Sequence, residues 1–449
     1  MLGPVARAPH RRLSAPALGS FALLAGLCAV LALPSPAAAA NCANTSVGLT
    51  PLNDLGAGLY EGFEGGLYPG GANARPAAHD AAGLALANAI VPLDTLGNPS
   101  PSGWIVFISI GMSNTTQEFS VFVDSANADP LKNPRVQVID CAQGGQSACI
   151  TDDPSDPYWT TVLTRILNAG ARPAQVQVAW IKQACPTSYY LAAPDSFPGG
   201  MEILKASVAS IVRILKAQYP NVKIAFLASR TYGGYATTNL NPEPWAYESG
   251  FAMKWLIEEQ IDGVDSLNFD PNAGPVEAPW LSWGPYLWAD GLTPRSDGLI
   301  WQCEEFREED GTHPSDLGRA KVASLLKTFC HTDAAATPWY LASPTGAPGG
   351  AASAAPRLEA SPNPFSRETE IRWALDDGVT WNALRVYDAS GRLVWTYGAL
   401  MIAPQGGAPV TRVLWDGRDT NGHALSAGTY LLRLDTRRGP ATHKVTLVR

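Results

Sequence analysis

The sequence predicts an α/β chain, a parallel sheet flanked by helices in three layers, followed by a small antiparallel β-sandwich. Three observations carry that prediction. Residues 100–332 alternate short apolar runs with segments of helical spacing, the pattern of a parallel sheet covered on both faces. A stretch rich in Ala, Gly, Pro and Ser follows at 339–357, with few side chains to bury. Beyond it, residues 358–449 change to short period-two segments separated by turn residues.

Taken in order, residues 1–40 read as an export signal. Arg7, Arg11 and Arg12 form a basic front, an apolar stretch follows, and "PSPAAAA" supplies small-residue cleavage options before Asn41. The twin arginines of "HRRLS" do not decide between a Sec and a Tat route. No transmembrane helix is expected once this segment is removed. Of the seven cysteines, Cys28 lies in the leader. The remaining six, Cys42, Cys141, Cys149, Cys185, Cys303 and Cys330, suit disulfides in an exported chain. Cys141 and Cys149 are expected to close one short loop, with the full pairing open.

Residues 41–338 form the predicted main domain. "GWIVFISIGMS" is an apolar strand running into a Gly-containing turn, and "PRVQVIDCAQGG" is a second with a similar ending. "AQVQVAWIK" and "NVKIAFLAS" are the third and fourth. "WTTVLTRILNAG", "MEILKASVASIVRILKAQY", "YESGFAMKWLIEEQI" and "SDLGRAKVASLLKTF" have helical spacing, with Ile203, Val208, Ile211, Val212 and Leu215 near one face of the second. Ligands in such sheets sit at the carboxyl ends of the strands. That rule points to "GMSN", "AQGG", "IKQA" and "SRTYGG". The aromatic stretch "APWLSWGPYLWADGLTPRSDGLIW", broken by Pro and Gly, reads as a loop.

The net charge of −8 and the scattered Lys and Arg argue against nucleic acid or an anionic membrane as partner. No metal-ligand spacing is present and no cofactor is expected. Among the histidines outside the leader, His313 alone has an acid at a turn-like offset just before a helix: "DGTHPS" places Asp310 three residues ahead of it. The partner it would need is a hydroxyl at a strand-to-helix turn. Ser113, after Gly111 and the first strand, has that position. A serine hydroxyl is a weak nucleophile until a base takes its proton, and an acid beside the base holds the imidazole in the useful tautomer.

This order of motifs resembles the SGNH (GDSL-like) hydrolase superfamily over roughly residues 100–332. "GMSN" occupies the place of the first block, "DCAQGG" resembles the second, and "DGTHPSDLGRAKVA" is similar to the last. The resemblance implies Ser113 as nucleophile, His313 as general base and then acid, and Asp310 as its support. It implies oxyanion donors from the N–H groups of Ser113 and Gly145, with Gly144 as the other glycine that fits. Two positions depart from the pattern. Met112 stands where the family usually has Asp, and Lys182 stands where its third block has Asn. Lys182 either replaces that donor with an ammonium or forms a buried ion pair, and Asn114 is another candidate donor. Trp283 and Trp288, with Trp280, Tyr286 and Trp301, are candidates to line a pocket for sugars or acyl groups, or to anchor the loop. Arg230 is a candidate partner for a substrate carboxylate.

Residues 358–449 carry "NPF", "VYDASGRLV", "WDGRDTNG" and "AGTYLLRL", which resemble the FlgD-type immunoglobulin-like domain and the C-terminal sorting tails of type IX secretion substrates. There Trp415, Asp416, Gly417 and Gly422 would set a turn, and the implied partner is secretion or cell-surface machinery. The sequence thus reads as an exported or cell-surface serine hydrolase acting on ester bonds, with carbohydrate O-acyl esters as the favoured substrates. The alternative is a non-catalytic, surface-displayed glycan-binding protein on a degenerate hydrolase fold.

Overall fold

A computed structural model describes residues 39–342, 357–374, 381–388, 392–397, 412–420, 422–436 and 439–448. Nearly all of the expected leader, and residues 343–356 of the expected linker, lie outside the described residues.

Five strands form the main sheet: β1 (Ile105–Gly111), β2 (Val136–Ile139), β3 (Val176–Lys182), β4 (Ile224–Ala228) and β5 (Trp280–Trp283). Their order is β2-β1-β3-β4-β5 and every pairing is parallel. β1 and β3 are buried along their whole length, and in β1 this explains the long apolar run: a strand covered on both faces has no solvent side to alternate with. The longer helices are α1 (Ala77–Asn88), α2 (Ser113–Asn127), α3 (Pro157–Asn168), α4 (Gly199–Gln218), α5 (Trp245–Ile261) and α6 (Asp316–Thr332).

Helices α2 and α6 pack against each other on one face of the sheet. Phe119 of α2 stacks on Trp180 of β3 at 5.6 Å, and Phe329 of α6 meets Phe226 of β4 edge-on at 4.8 Å. Helices α4 and α5 also pack together. Along α4 the buried stripe is Met201, Leu204, Val208, Ile211, Val212 and Leu215, recurring at three- and four-residue steps. Leu204 takes the place expected for Ile203, which is half-buried.

Three sequence expectations need correction. The stretch read as a loop from Trp280 begins as β5, paired with β4 from Ile224↔Trp280 to Leu227↔Trp283. Four residues flanked by Pro and Gly are too short for a period to show. Second, the expected linker at 339 starts inside the core. Thr337–Tyr340 forms a helical turn, and Trp339 and Tyr340 are fully buried, since two large rings have too much apolar surface for a linker.

Third, Cys141 does not pair with Cys149. The disulfides are Cys42–Cys303 and Cys149–Cys185, each with Cα atoms 5.4 Å apart, while Cys141 and Cys330 are buried thiols. Cys141 follows β2 directly and its sulfur is buried near the Val162 carbonyl of α3 at 3.9 Å. Cys149 lies on the short helix Ala148–Thr151, whose Ala148 N–H donates to the Ala184 carbonyl at 3.0 Å, so its neighbour is Cys185.

The chain at 40–48 straps across the carboxyl edge. Ala40 N–H donates to Glu308 and Asn41 N–H to Tyr235. The Asp290 carboxylate accepts Val47 N–H at 2.7 Å and Gly48 N–H at 3.1 Å. The Cys42–Cys303 bond fastens this strap covalently, closing a loop of 261 residues, the kind of long closure that most restricts an unfolded chain.

The C-terminal part is a two-sheet antiparallel sandwich. Its strands are β6 (Arg357–Ser361), β7 (Thr369–Ala374), β8 (Trp381–Tyr387), β9 (Leu393–Tyr397), β10 (Arg412–Trp415), β11 (Gly428–Thr436) and β12 (Gly439–Leu447). The sheets run β10-β7-β6 and β9-β8-β11-β12. A separate core fills it, built on Ile371, Leu384, Val386, Trp415, Leu432, Leu434 and Val445. Trp415 is buried and donates its indole N–H to the Arg418 carbonyl at 3.0 Å. Gly417 has a φ of 71°, which a side chain rarely adopts, so the turn after Trp415 needs glycine. Among the described residues no helix is long and apolar enough to cross a membrane.

Candidate active site

In the order β2-β1-β3, the connections reverse direction between β1 and β3, opening a crevice at the carboxyl ends of those strands. Ser113, the first residue of α2, stands there. Gly111 has no room for a side chain: a Cβ would lie 2.3 Å from the Thr115 hydroxyl and 2.4 Å from the Lys182 carbonyl. Its N–H donates to the Tyr158 hydroxyl at 3.0 Å, fixing the strand end. Met112 precedes the helix in an extended conformation and supplies no side-chain cap. The first N–H groups of α2 therefore keep their unsatisfied polarity beside Ser113.

The acid and the imidazole lie on the turn before α6. Asp310 accepts the backbone N–H groups of Thr312 and His313, each at 2.8 Å, on one oxygen, and the His313 Nδ1–H at 2.5 Å on the other. Burial pushes the Asp310 carboxyl up, but these three donors outweigh it, and the group is held below its ordinary value. It stays ionised and fixes the tautomer that leaves Nε2 free to accept. The Ser113 hydroxyl lies 2.8 Å from that Nε2. Gly311 has a φ of 62°, and a Cβ there would lie 2.0 Å from the Tyr235 carbonyl, so the turn can close only with glycine. The structure thus brings Ser113, His313 and Asp310 together although 200 residues separate the first two.

The expected oxyanion group divides. Gly144 and Gly145 lie beside Ser113: a Cβ on Gly144 would be 3.8 Å from that of Ser113, and Gly145 has a φ of 80°. Their loop is anchored by Gln143 N–H to the Gly111 carbonyl at 3.0 Å and by the Arg165 guanidinium to the Ala142 carbonyl at 2.5 Å. Among the described residues, no acceptor lies on the Gly144 or Gly145 N–H.

Lys182 is otherwise engaged. Its ammonium is fully buried and meets both Glu118 oxygens at 2.6 Å. Burial pushes it down while Glu118 opposes that shift. The ion-pair alternative is therefore the one the structure shows, because the carboxylate holds the donor that an oxyanion would need. Asn114 likewise gives its amide N–H to the Thr312 carbonyl at 2.9 Å, tying α2 to the histidine turn.

The candidate substrate-binding residues are not brought to the site surface. Trp283 is buried and donates its indole N–H to the Leu67 carbonyl at 2.7 Å, while Trp288 is buried and donates to Glu243 at 2.8 Å. They anchor the chain to the core, because a large ring on a Pro/Gly-broken segment gains more from burial than from facing water. Arg230 is also buried; Nη2 reaches the Leu240 carbonyl at 3.5 Å, and Nε and Nη1 have no partner among the described residues. Burial holds it below its usual value against Glu118, Tyr190, Glu243 and Asp310. It is not open to a ligand.

Beside Trp288, burial pushes Glu243 and Glu248 up to about 7. Glu243 accepts three donors, from Gly233, Tyr247 and Trp288. Glu248 accepts the Tyr60 hydroxyl at 2.8 Å, and its second oxygen is buried without a partner among the described residues. A carboxyl raised above its unfolded value stabilises the fold while protonated, so that stability is full below about pH 4.5 and is lost as pH rises through about 7. Glu248→Gln is expected to melt like wild type at pH 4 but higher at pH 8, its stability greater by roughly 3 kcal/mol at 1.36 kcal/mol per unit. Thermal melts at the two pH values check this; equal midpoints at pH 8 would count against it.

Sequence reasoning missed Glu118 and Arg165, while the stretch "SRTYGGYATTNLNPEPWAYE" after β4, which includes 236–241, reads as a long loop at a strand end. Glu118 carried a signal, since it shares the stripe Thr115, Glu118, Phe119, Phe122, Ala126 that α2 buries, and a carboxylate on an apolar stripe needs a buried cation. Arg165 gave none, since its role depends on which backbone carbonyls the fold brings near.

No family model and no curated protein matches the chain. Among solved structures it is similar to a GDSL-like lipase from Parabacteroides merdae ATCC 43184, at 12% identity over 50% of this chain and 94% of that one, with a TM-score of 0.28. It is similar to the salicylyl-acyltransferase SsfX3 of a tetracycline biosynthetic pathway, at 14% identity over 52% and 55% of the two chains, with a TM-score of 0.27. It is also similar to PorZ, a surface component of the type-IX secretion system of Porphyromonas gingivalis, at 19% identity over 20% of this chain, with a TM-score of 0.16. The chain spans only 11% of PorZ and 10% of PorU from the same organism. At TM-scores this low none of these likenesses bears on function, which rests on the side-chain geometry.

Proposed function

We propose that the main domain is a serine ester hydrolase. One observation carries this reading: the Ser113 hydroxyl lies 2.8 Å from His313 Nε2, while His313 Nδ1 lies 2.5 Å from an ionised Asp310. Ser113 Oγ attacks the ester carbonyl carbon and its proton passes to His313 Nε2. The carbonyl oxygen takes the negative charge and is met by backbone N–H groups at the start of α2 and at Gly144 and Gly145. The tetrahedral intermediate collapses, the ester C–O bond breaks, and the leaving alkoxide takes the proton from His313. Water then attacks the acyl-enzyme, giving its proton to His313, which returns it to Ser113 as the carboxylic acid leaves. Asp310 keeps its charge throughout and supports the imidazolium.

The aromatic support for a carbohydrate substrate falls away, because Trp283 and Trp288 are inside the core. Export is part of the same reading, supported by the leader's composition and by the two disulfides. The C-terminal sandwich serves secretion or surface attachment, on the strength of its sequence motifs.

The full chain treated with a fluorophosphonate probe should be labelled on Ser113 by peptide mass, and His313→Ala should label at least about 100-fold more slowly, in keeping with the contribution of a general base. An unlabelled wild-type chain that is retained on polysaccharide columns would replace this reading with the glycan-binding one.

A further inference from the structure

The loops above β1, β2, β3 and β4 close into a ring around Ser113. Starting from Ser113, Gly144 lies next to it. Gln183 then donates to the Gln146 carbonyl at 3.2 Å, and the Cys149–Cys185 disulfide joins the same two segments. The Thr187 hydroxyl donates to the Asn239 carbonyl at 3.1 Å, and Asn241 donates to the Cys185 carbonyl at 2.9 Å. Thr237 N–H donates to the Asp310 carbonyl at 3.0 Å, and the Thr238 and Thr312 hydroxyls lie 3.5 Å apart. His313 returns the circuit to Ser113.

Four large apolar side chains on this ring stay in water: Ile150 at 37% exposure, Tyr189 at 41%, Leu191 at 64% and Leu240 at 42%, the last three of them grouped together. Tyr189 and Leu191 lie on the short helix Thr187–Leu191, and Leu240 on the segment bonded to it. An exposed leucine alone is ordinary. Here three come from two loops that are hydrogen-bonded to each other and to the histidine turn. The loops themselves are poor in cations: no Lys or Arg occurs in 142–156, 183–198 or 231–244, whereas Asp152, Asp153, Asp156 and Asp195 do; the flanking Lys182 and Arg230 are buried, and Arg165 is engaged on the Ala142 carbonyl. Such a rim does not attract a carboxylate, a phosphate or a polyanionic glycan.

We propose that Tyr189, Leu191 and Leu240 form an apolar lip beside the Ser113 hydroxyl, selecting neutral esters whose acyl group is an extended hydrocarbon chain. This rests on the serine hydrolase reading and gives it a substrate class. With the carbonyl held between Ser113 and the Gly144–Gly145 turn, an octanoyl chain crosses the ring and covers the lip. An acetyl group ends before reaching it.

The test uses the full chain with p-nitrophenyl acetate and p-nitrophenyl octanoate. Wild type should show kcat/KM about tenfold or more higher for octanoate, the lower range for apolar contacts of this size. Leu191→Ser with Leu240→Ser should lower the octanoate-to-acetate ratio by about tenfold. Leu59→Ser, which removes a similarly exposed leucine from the two-residue strand Leu59–Tyr60, should leave the ratio as it is. Should the double variant melt early, Leu191→Ser alone decides, its side chain being the most exposed. A wild type that prefers acetate, or a double variant with an unchanged ratio, overturns the lip while leaving the hydrolase standing, provided Ser113 takes the fluorophosphonate. With neither turnover nor labelling, both readings fall.

Discussion

Ser113→Ala should cut turnover of p-nitrophenyl acetate by on the order of 10⁴- to 10⁶-fold, the loss seen when one member of a nucleophile–base unit is removed. The hydroxyl's one described partner is His313, and the residue sits at the solvent edge of α2, so the thermal midpoint should not move. Asp310→Asn probes the same unit from the other end. The amide cannot hold Nδ1 as the donor, so the imidazole loses the tautomer that accepts the serine proton, and turnover should fall by about 10⁴-fold. Initial rates with the purified full chain, read beside thermal melts, separate these losses from unfolding. A Ser113→Ala variant with wild-type activity would end the hydrolase case.

Glu118→Ala should be the most damaging of the conservative truncations in the core. It leaves the Lys182 ammonium buried with no counter-charge, and with Arg230 as a second cation nearby. Removing one partner of a buried pair costs about 3–5 kcal/mol, which for a domain of this size lowers the midpoint by roughly 10 °C. The loss should shrink as pH rises, because a lysine left alone in the core sheds its proton. Glu118→Leu with Lys182→Met should recover most of the stability, since an apolar pair of similar volume has no desolvation to offset. If Glu118→Ala and wild type melt together at pH 7, the pair contributes nothing to stability.

How far the sequence could be read depended on how local each signal was. Four strands were legible because buried parallel strands show as short stretches rich in β-branched and other apolar residues, with few polar ones such as Gln137 and Gln177; β5, only four residues long between Pro and Gly, offered no period. "DGTH" was legible because its acid, glycine and imidazole act on one another within a single turn. Ser113 depended on its place after β1, a property of the sheet. The tryptophans and cysteines resisted reading, since an indole in a loop and a thiol in an exported chain each have two good fates. Tertiary packing chose burial for Trp283 and Trp288, and Cys185 rather than Cys141 for Cys149. Lys182 was ambiguous for a similar reason, its partner Glu118 lying 64 positions away.

The two groups that must meet are mounted on helices that touch. α2 begins at Ser113, α6 begins just after His313, and these first and last large helices around the crevice lie side by side. The distance between hydroxyl and imidazole is therefore set by that helix–helix contact, by the Asn114 bond to Thr312, and by the brace that the segment over β4 gives the histidine turn through Thr237 N–H on the Asp310 carbonyl. Insertions in the segment over β3 can lengthen, shorten or trade their contents without resetting that distance. The molecule behaves as a fixed vice with interchangeable jaws: the grip stays constant, and what it holds can be revised one loop at a time.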